Sequence, residues 1–233
     1  MTARGGEGRA QMMSAIRSAL MARGDEPGRR GAVRARLERT PVGLIPARAQ
    51  KVDQARIDAF QAMLEVQGTT VRQVESLQEL PTAIATYLTE QNLPARLRHG
   101  ADPILAGLPW DSVMIEREQG PAHPSDLVSL SRALGGAAET GTLFFASGPD
   151  NPSTLNFLPD THCVVIMADA ISGSFEDVWG QLREHYGRGT MPRTVNLVSG
   201  PSCTADIEQT IIRGAHGPRR LAVFIVAGPT SFR

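Results

Sequence analysis

Two apolar runs limit the fold of this 233-residue chain more than any other feature. Residues 162–167 read HCVVIM and residues 221–226 read LAVFIV. A strand with one face in water alternates apolar and polar side chains. A continuous run instead signals burial on both faces, the situation of a strand inside a parallel sheet. Segments with helical spacing alternate with short extended ones around these runs. Helices are expected over 52–67 (Ile57, Phe60, Leu64), 77–91 (Leu80, Ile84, Leu88) and 174–186 (Phe175, Val178, Trp179, Leu182), with helical turns over 103–108 and 153–158. Further strands are expected over 69–74, 95–98, 112–115, 143–146 and 194–198. This alternation predicts an α/β fold with a mostly parallel sheet covered on both faces.

The N-terminal part is different. Residues 7–22 carry Met12, Ile16, Ala19 and Leu20 at helical spacing. Residues 24–40 are rich in Arg and Gly, and through residue 39 nine arginines stand against four acids. That composition reads as a solvated linker, or as a basic arm toward an acidic partner. The expected division is a helix and basic linker over 1–49 and an α/β domain over 50–233. The formal charge of the whole chain is zero, which argues against general nucleic-acid binding. No stretch approaches the roughly 18 apolar residues of a membrane span, and the N-terminus lacks the apolar core of a secretory signal, so a cytoplasmic protein is expected.

Residues 199–218, SGPSCTADIEQTIIRGAHGP, hold the densest local signals. Ser199-Gly200-Pro201-Ser202 is a turn by composition. Ser202 or Thr204 can cap a helix, Asp206 and Glu208 suit its first turn, and Ile207, Ile211 and Ile212 give it one apolar face, with Gly214 at its end. The expectation is strand, turn, helix, turn, strand: one crossover unit. In parallel sheets ligands bind at the carboxyl ends of strands, where such turns expose free N–H groups. The 199–204 turn is therefore a candidate anion or cofactor site; its alternative role is simply to turn the chain. His216, in a Gly-flanked turn, is a candidate acid or base, with a bond to a nearby carbonyl as the alternative.

A second region, 126–148, contains Ala138-Glu139-Thr140-Gly141-Thr142 ahead of an apolar strand. A carboxylate placed there needs a partner. Glu139 is a candidate general base, nucleophile or ligand anchor; the alternative is a carboxylate tied to nearby backbone N–H groups. The chain has two cysteines, Cys163 and Cys203, fewer than the four thiolates an iron–sulfur cluster usually takes. Cys163 is expected in the core and Cys203 in the central turn. The five histidines show neither HxH nor HxxxH spacing, so no metal site is assigned.

Taken together, Ala138-Glu139-Thr140-Gly141-Thr142, Ser199-Gly200-Pro201-Ser202, Thr204-Ala205-Asp206-Ile207-Glu208 and Gly214 with His216-Gly217-Pro218 resemble the LUD-domain family, and within it the lactate utilisation protein C group. The resemblance runs over residues 50–226; Cys203 departs from it, standing where a basic or polar residue is expected. It implies a Rossmann-like three-layer α/β sandwich, similar to the sugar-phosphate isomerase and CoA-transferase fold, and a role in oxidising L-lactate to pyruvate beside partner subunits that carry iron–sulfur clusters. The resemblance brings no settled catalytic residues.

Two readings follow. In the first, the chain is an accessory subunit that binds a small anionic ligand through Thr140, Gly141, Thr142, Ser199, Gly200, Ser202, Thr204 and Asp206; its own cofactor is unknown, and a second copy of the chain is a candidate partner. In the second, it is a stand-alone enzyme resembling CoA transferases. Glu139-Thr140-Gly141 has their Glu-x-Gly form, and Glu139 would attack a thioester.

Overall fold

A computed structural model describes residues 4–21, 26–39, 43–187, 189–205 and 211–228. The chain divides into two compact units, Met1–Gly43 and Leu44–Arg233. The first contains helices α1 (Arg4–Met21) and α2 (Glu26–Glu38). The stretch expected as a basic linker is thus helical: Pro27 sits in the first turn of α2, and Ala, Arg and Leu that follow are good helix formers. Met12, Ile16 and Leu20 of α1 are exposed.

The second unit runs α3 (Asp53–Val66), β1 (Thr70–Val74), α4 (Leu80–Glu90), β2 (Arg96–His99), α5 (Pro103–Ala106), β3 (Glu116–Gln119), β4 (Val128–Arg132), β5 (Gly135–Ala137) and β6 (Thr142–Ala146). It continues through α6 (Thr154–Phe157), β7 (Thr161–Met167), β8 (Ile171–Ser172), α7 (Phe175–Tyr186), β9 (Val195–Val198), β10 (Cys203–Ala205), β11 (Ile211–Arg213) and β12 (Arg220–Val226). A six-stranded, fully parallel sheet has the order β1-β12-β7-β4-β2-β3. The two apolar runs are its inner strands, β7 and β12, paired along their whole length from Arg220↔Thr161 to Val226↔Met167.

Burial on both faces follows from the pleat. On β7, Cys163, Val165 and Met167 pack with Leu80, Ile84, Tyr87 and Leu88 of α4. Val164 and Ile166 point the other way, into a core with Phe60 and Leu64 of α3 and Leu143 and Phe145 of β6. That second face is covered by α3 together with a smaller sheet of order β8-β5-β6-β9, whose β5–β6 and β6–β9 pairs are antiparallel. Phe144 of β6 faces outward onto α7 and joins Ala137 and Val178. Ser174 caps α7 in a reciprocal capping box with Asp177.

Several sequence expectations change. The strand expected at 112–115 lies later, at Glu116–Gln119, preceded by a 3-10 turn over Trp110–Ser112. Gly135 and Gly136 form the start of strand β5. Its glycines are there for close approach: a Cβ on Gly136 would stand 2.9 Å from the Phe60 ring and 2.8 Å from Ile166 Cδ1. The expected crossover helix after Ser202 is replaced, on both sides of residues outside the description, by β10 and β11, an antiparallel pair with Thr204 opposite Ile212. β-branched Ile211 and Ile212 suit the pleated ladder better than a helix. The segment from β9 to β12 is therefore not a crossover unit. β9 belongs to the small sheet, and only β12 returns to the large one.

Candidate functional site

Two turns meet at the carboxyl end of α3. Gly141, at φ +66°, lies so close to the helix that a Cβ would stand 2.9 Å from Leu64 N. Gly200 is held likewise, 2.8 Å from Gln67 Cβ. A chain of hydroxyls joins the turns: Thr140 Oγ1 to Thr142 Oγ1 at 2.8 Å, and Thr142 Oγ1 to Ser199 Oγ at 2.7 Å. The two regions singled out by sequence thus touch, through side chains 57 positions apart.

Beside this junction lies a cavity of about 220 Å³. Ser199, Gly200, Ser202 and His216 line it, together with Leu197 of β9 and Leu221 of β12. The chain closes over it by backbone bonds: the Ser202 N–H donates to Pro218 O (2.8 Å) and the Gly214 N–H to Ser202 O (2.9 Å). The His216 N–H donates to Ser202 Oγ (3.4 Å), and the His216 side chain is exposed. The cavity's inner wall includes His162 and Asn156. His162 pairs with Leu221 in the first residues of β7 and β12. The cavity therefore sits at the amino ends of the central strands, not at the carboxyl ends that the sequence reading expected. The reversal has a topological cause: the Ser199 turn leaves β9, which runs in the small sheet.

His162 is fully buried and Asn156 is 1% exposed. Ser131 of β4 links them, with His162 Nε2 3.0 Å from Ser131 Oγ, and Ser131 Oγ donating to Asn156 Oδ1 at 3.3 Å. Ser129 Oγ donates to Leu155 O at 2.6 Å and ties α6 to the same strand. Among the described residues, His162 Nδ1 and Asn156 Nδ2 have no hydrogen-bond partner. Burial pushes the His162 imidazole down from its usual 6.5 to about 3, so the ring is neutral. Sequence reasoning passed over both residues. The one sequence signal was His162 itself, a polar side chain at the head of a run expected to be buried on both faces, where it must find a partner; Ser131 lies in β4, a strand not marked by such a run.

Glu139 does not line this cavity. It is 8% exposed; its Oε1 accepts from the Phe175 N–H at 2.9 Å, and its Oε2 lies 3.9 Å from Arg48 Nε. Its own N–H donates to Gly173 O (3.0 Å), so the carboxylate is fixed at the amino end of α7, where a negative charge is favoured. Thr140, Gly141 and Thr142 sit between the two places: none lines the cavity, and the hydroxyl chain reaches it at Ser199. Thr204 lies in β10, half-buried, and Asp206 falls outside the described residues. Cys163 is buried and its thiol pushed up to about 12 by that burial, while Cys203 is exposed. Among the described residues no three His, Cys, Asp or Glu side chains gather as a metal site would require.

A family profile described as the LUD domain matches residues 57–226, from within α3 to the last residue of β12. The chain belongs to the LUD-domain family. Every residue lining the cavity falls inside the LUD match, whereas Arg48 lies before it. A Lactate utilization protein C from Deinococcus radiodurans is 31% identical over 158 residues, 65% of this chain and 70% of that protein. An uncharacterized protein of Neisseria meningitidis is 34% identical over 141 residues, 58% of this chain and 59% of its own length. Two Geobacillus proteins named Lactate utilization protein C align over only 37% and 38% of theirs. The crystal structure of a DUF162 family protein from Deinococcus radiodurans superposes with a TM-score of 0.54 at 23% identity, covering 76% of this chain and 99% of that one. This last likeness shows a shared fold. Within the described residues, no helix is long and apolar enough to cross a membrane.

Proposed function

We propose that this LUD-domain chain works in lactate utilisation, in the cytoplasm, as a small-molecule-binding accessory component beside partner proteins that carry iron–sulfur clusters. The observation that carries the reading is its relation to the Deinococcus protein named Lactate utilization protein C, matched over 70% of its length. A second support is the cavity itself, which gathers the Ser199–Ser202 turn and His216 against buried polar groups and is small enough for a short carboxylic acid. The two cysteines of the chain, one of them in the core, are fewer than a cluster takes, which leaves that cargo to partners.

The stand-alone CoA-transferase reading asks Glu139 to attack a thioester. The Glu139 carboxylate is engaged at the amino end of α7 and does not line the cavity, and that arrangement favours the accessory role. The test is removal of the gene from its host, combined with affinity purification of the tagged chain from cells grown on L-lactate. The expected result is loss of growth on L-lactate together with co-purification of iron–sulfur proteins. Unchanged growth with no such partner would remove the reading.

A further inference from the structure

We propose that the inner wall of the cavity is a recognition site for a neutral hydroxyl group, that of a small hydroxy acid whose carboxylate stays at the mouth. Asn156 Oδ1 can only accept, so the single Ser131 hydroxyl proton goes to it. Ser131 Oγ must then accept from His162 Nε2, which fixes the proton there and leaves Nδ1 as a bare lone pair. The second unpaired group, Asn156 Nδ2, is a donor. The wall therefore offers one buried acceptor and one buried donor, joined through the same serine. A hydroxyl donates once and accepts as well, so it is the group whose capacity matches this acceptor and this donor.

Other groups fit less well. A carboxylate at the wall would set its lone pairs against the Nδ1 lone pair of a ring that burial holds neutral. A ketone satisfies Asn156 Nδ2 but leaves Nδ1 unpaired, and an alkyl group leaves both. A water has the same donor and acceptor capacity and would be the competitor that a ligand displaces. The mouth differs in kind: Ser199 and Ser202 are half-buried and His216 is exposed, so a charged end there keeps contact with hydroxyls and solvent. The choice of acid rests on the lactate-utilisation reading above; the demand for a hydroxyl rests on His162, Ser131 and Asn156 alone.

The experiment is calorimetric titration of the purified full chain with L-lactate, pyruvate and propionate. It is paired with nitrogen NMR of the histidine-labelled chain, which needs no substitution and so carries no folding risk. The expected result is that L-lactate binds about 10- to 100-fold more tightly than either analogue, the range set by leaving a buried polar group unpaired, and that L-lactate moves the His162 Nδ1 resonance. Asn156→Leu should reduce the preference over propionate, with the His162 Nδ1 contact remaining. Equal binding of the three acids, a motionless Nδ1 signal, or no binding of L-lactate would each overturn the inference. None of these results touches growth on lactate or partner capture, so the broader reading would fall only by its own test.

Discussion

Ser131 is the residue on which the buried network depends. Ser131→Ala leaves the His162 Nε2 proton and Asn156 Oδ1 unpaired in the core. The expected cost is about 1–3 kcal/mol of unfolding free energy for each group stranded, read from urea denaturation. His162 itself makes stability depend on pH. Its folded value is about 3 against a usual 6.5, so below pH 6.5 the unfolded chain holds a proton that the folded chain does not. Stability must then fall as pH falls, by up to about 1.4 kcal/mol per unit. Burial also lowers the value of His99, which adds to the slope in the same direction. Urea midpoints measured between pH 6.5 and 5 should drop, and His162→Gln should flatten the drop; an identical slope in the variant would refute the assignment. Little of this was legible in the chain as a string. His162 reads as the polar start of an apolar strand, and what distinguishes it is a serine 31 positions earlier, brought beside it by strand pairing that no local pattern encodes.

At the level of elements, Glu139 and Gly141 show how the conspicuous motif is used. Glu139 occupies the amino end of α7 as an acceptor and as a charge. Glu139→Gln keeps the acceptor for the Phe175 N–H and should cost about 0.5 kcal/mol through the lost dipole interaction. Glu139→Ala removes both and should cost about 1–2 kcal/mol, as loss of a helix cap does. Equal costs in chemical denaturation would argue against this role. Gly141→Ala adds a Cβ at a left-handed φ and 2.9 Å from Leu64 N, so a loss of about 2–4 kcal/mol is expected in the same assay. Elements with strong periodicity, such as α3, α4, α7, β7 and β12, stand within a few residues of where the sequence puts them. The failure at 202–214 has a local cause: isoleucines at 207, 211 and 212 fit a helical face. In the structure Ile211 and Ile212 are consecutive strand residues, closed by backbone bonds from Gly214 to Ser202 and from Ser202 to Pro218 that composition does not announce.

Across the whole molecule, the inner strands β7 and β12 of the large sheet were legible because burial on two faces leaves a compositional mark, while the smaller sheet was legible only as separate strands at 143–146 and 194–198. Its strands are short, two of its residues are glycines, and its antiparallel partners lie up to 55 positions apart, as Leu143 and Val198 do. The amides of β7 and β12, central in the large sheet and shielded on both faces, should be the slowest to exchange with deuterium, and those of β10 and β11 much faster; comparable rates would contradict the layering described. The margins of the large sheet have a further consequence. At one edge β3 presents Glu116, Arg117, Glu118 and Gln119, with Glu118 engaged by Arg96 and Arg98 of β2. At the other, Arg72 of β1 is tied to Glu90. Unpaired margins of a flat ladder are templates on which another chain can crystallise as an extra strand, and charged margins frustrate that addition. Runaway polymerisation through the ladder is therefore discouraged at both ends, and a second copy that associates with this one has to meet it elsewhere.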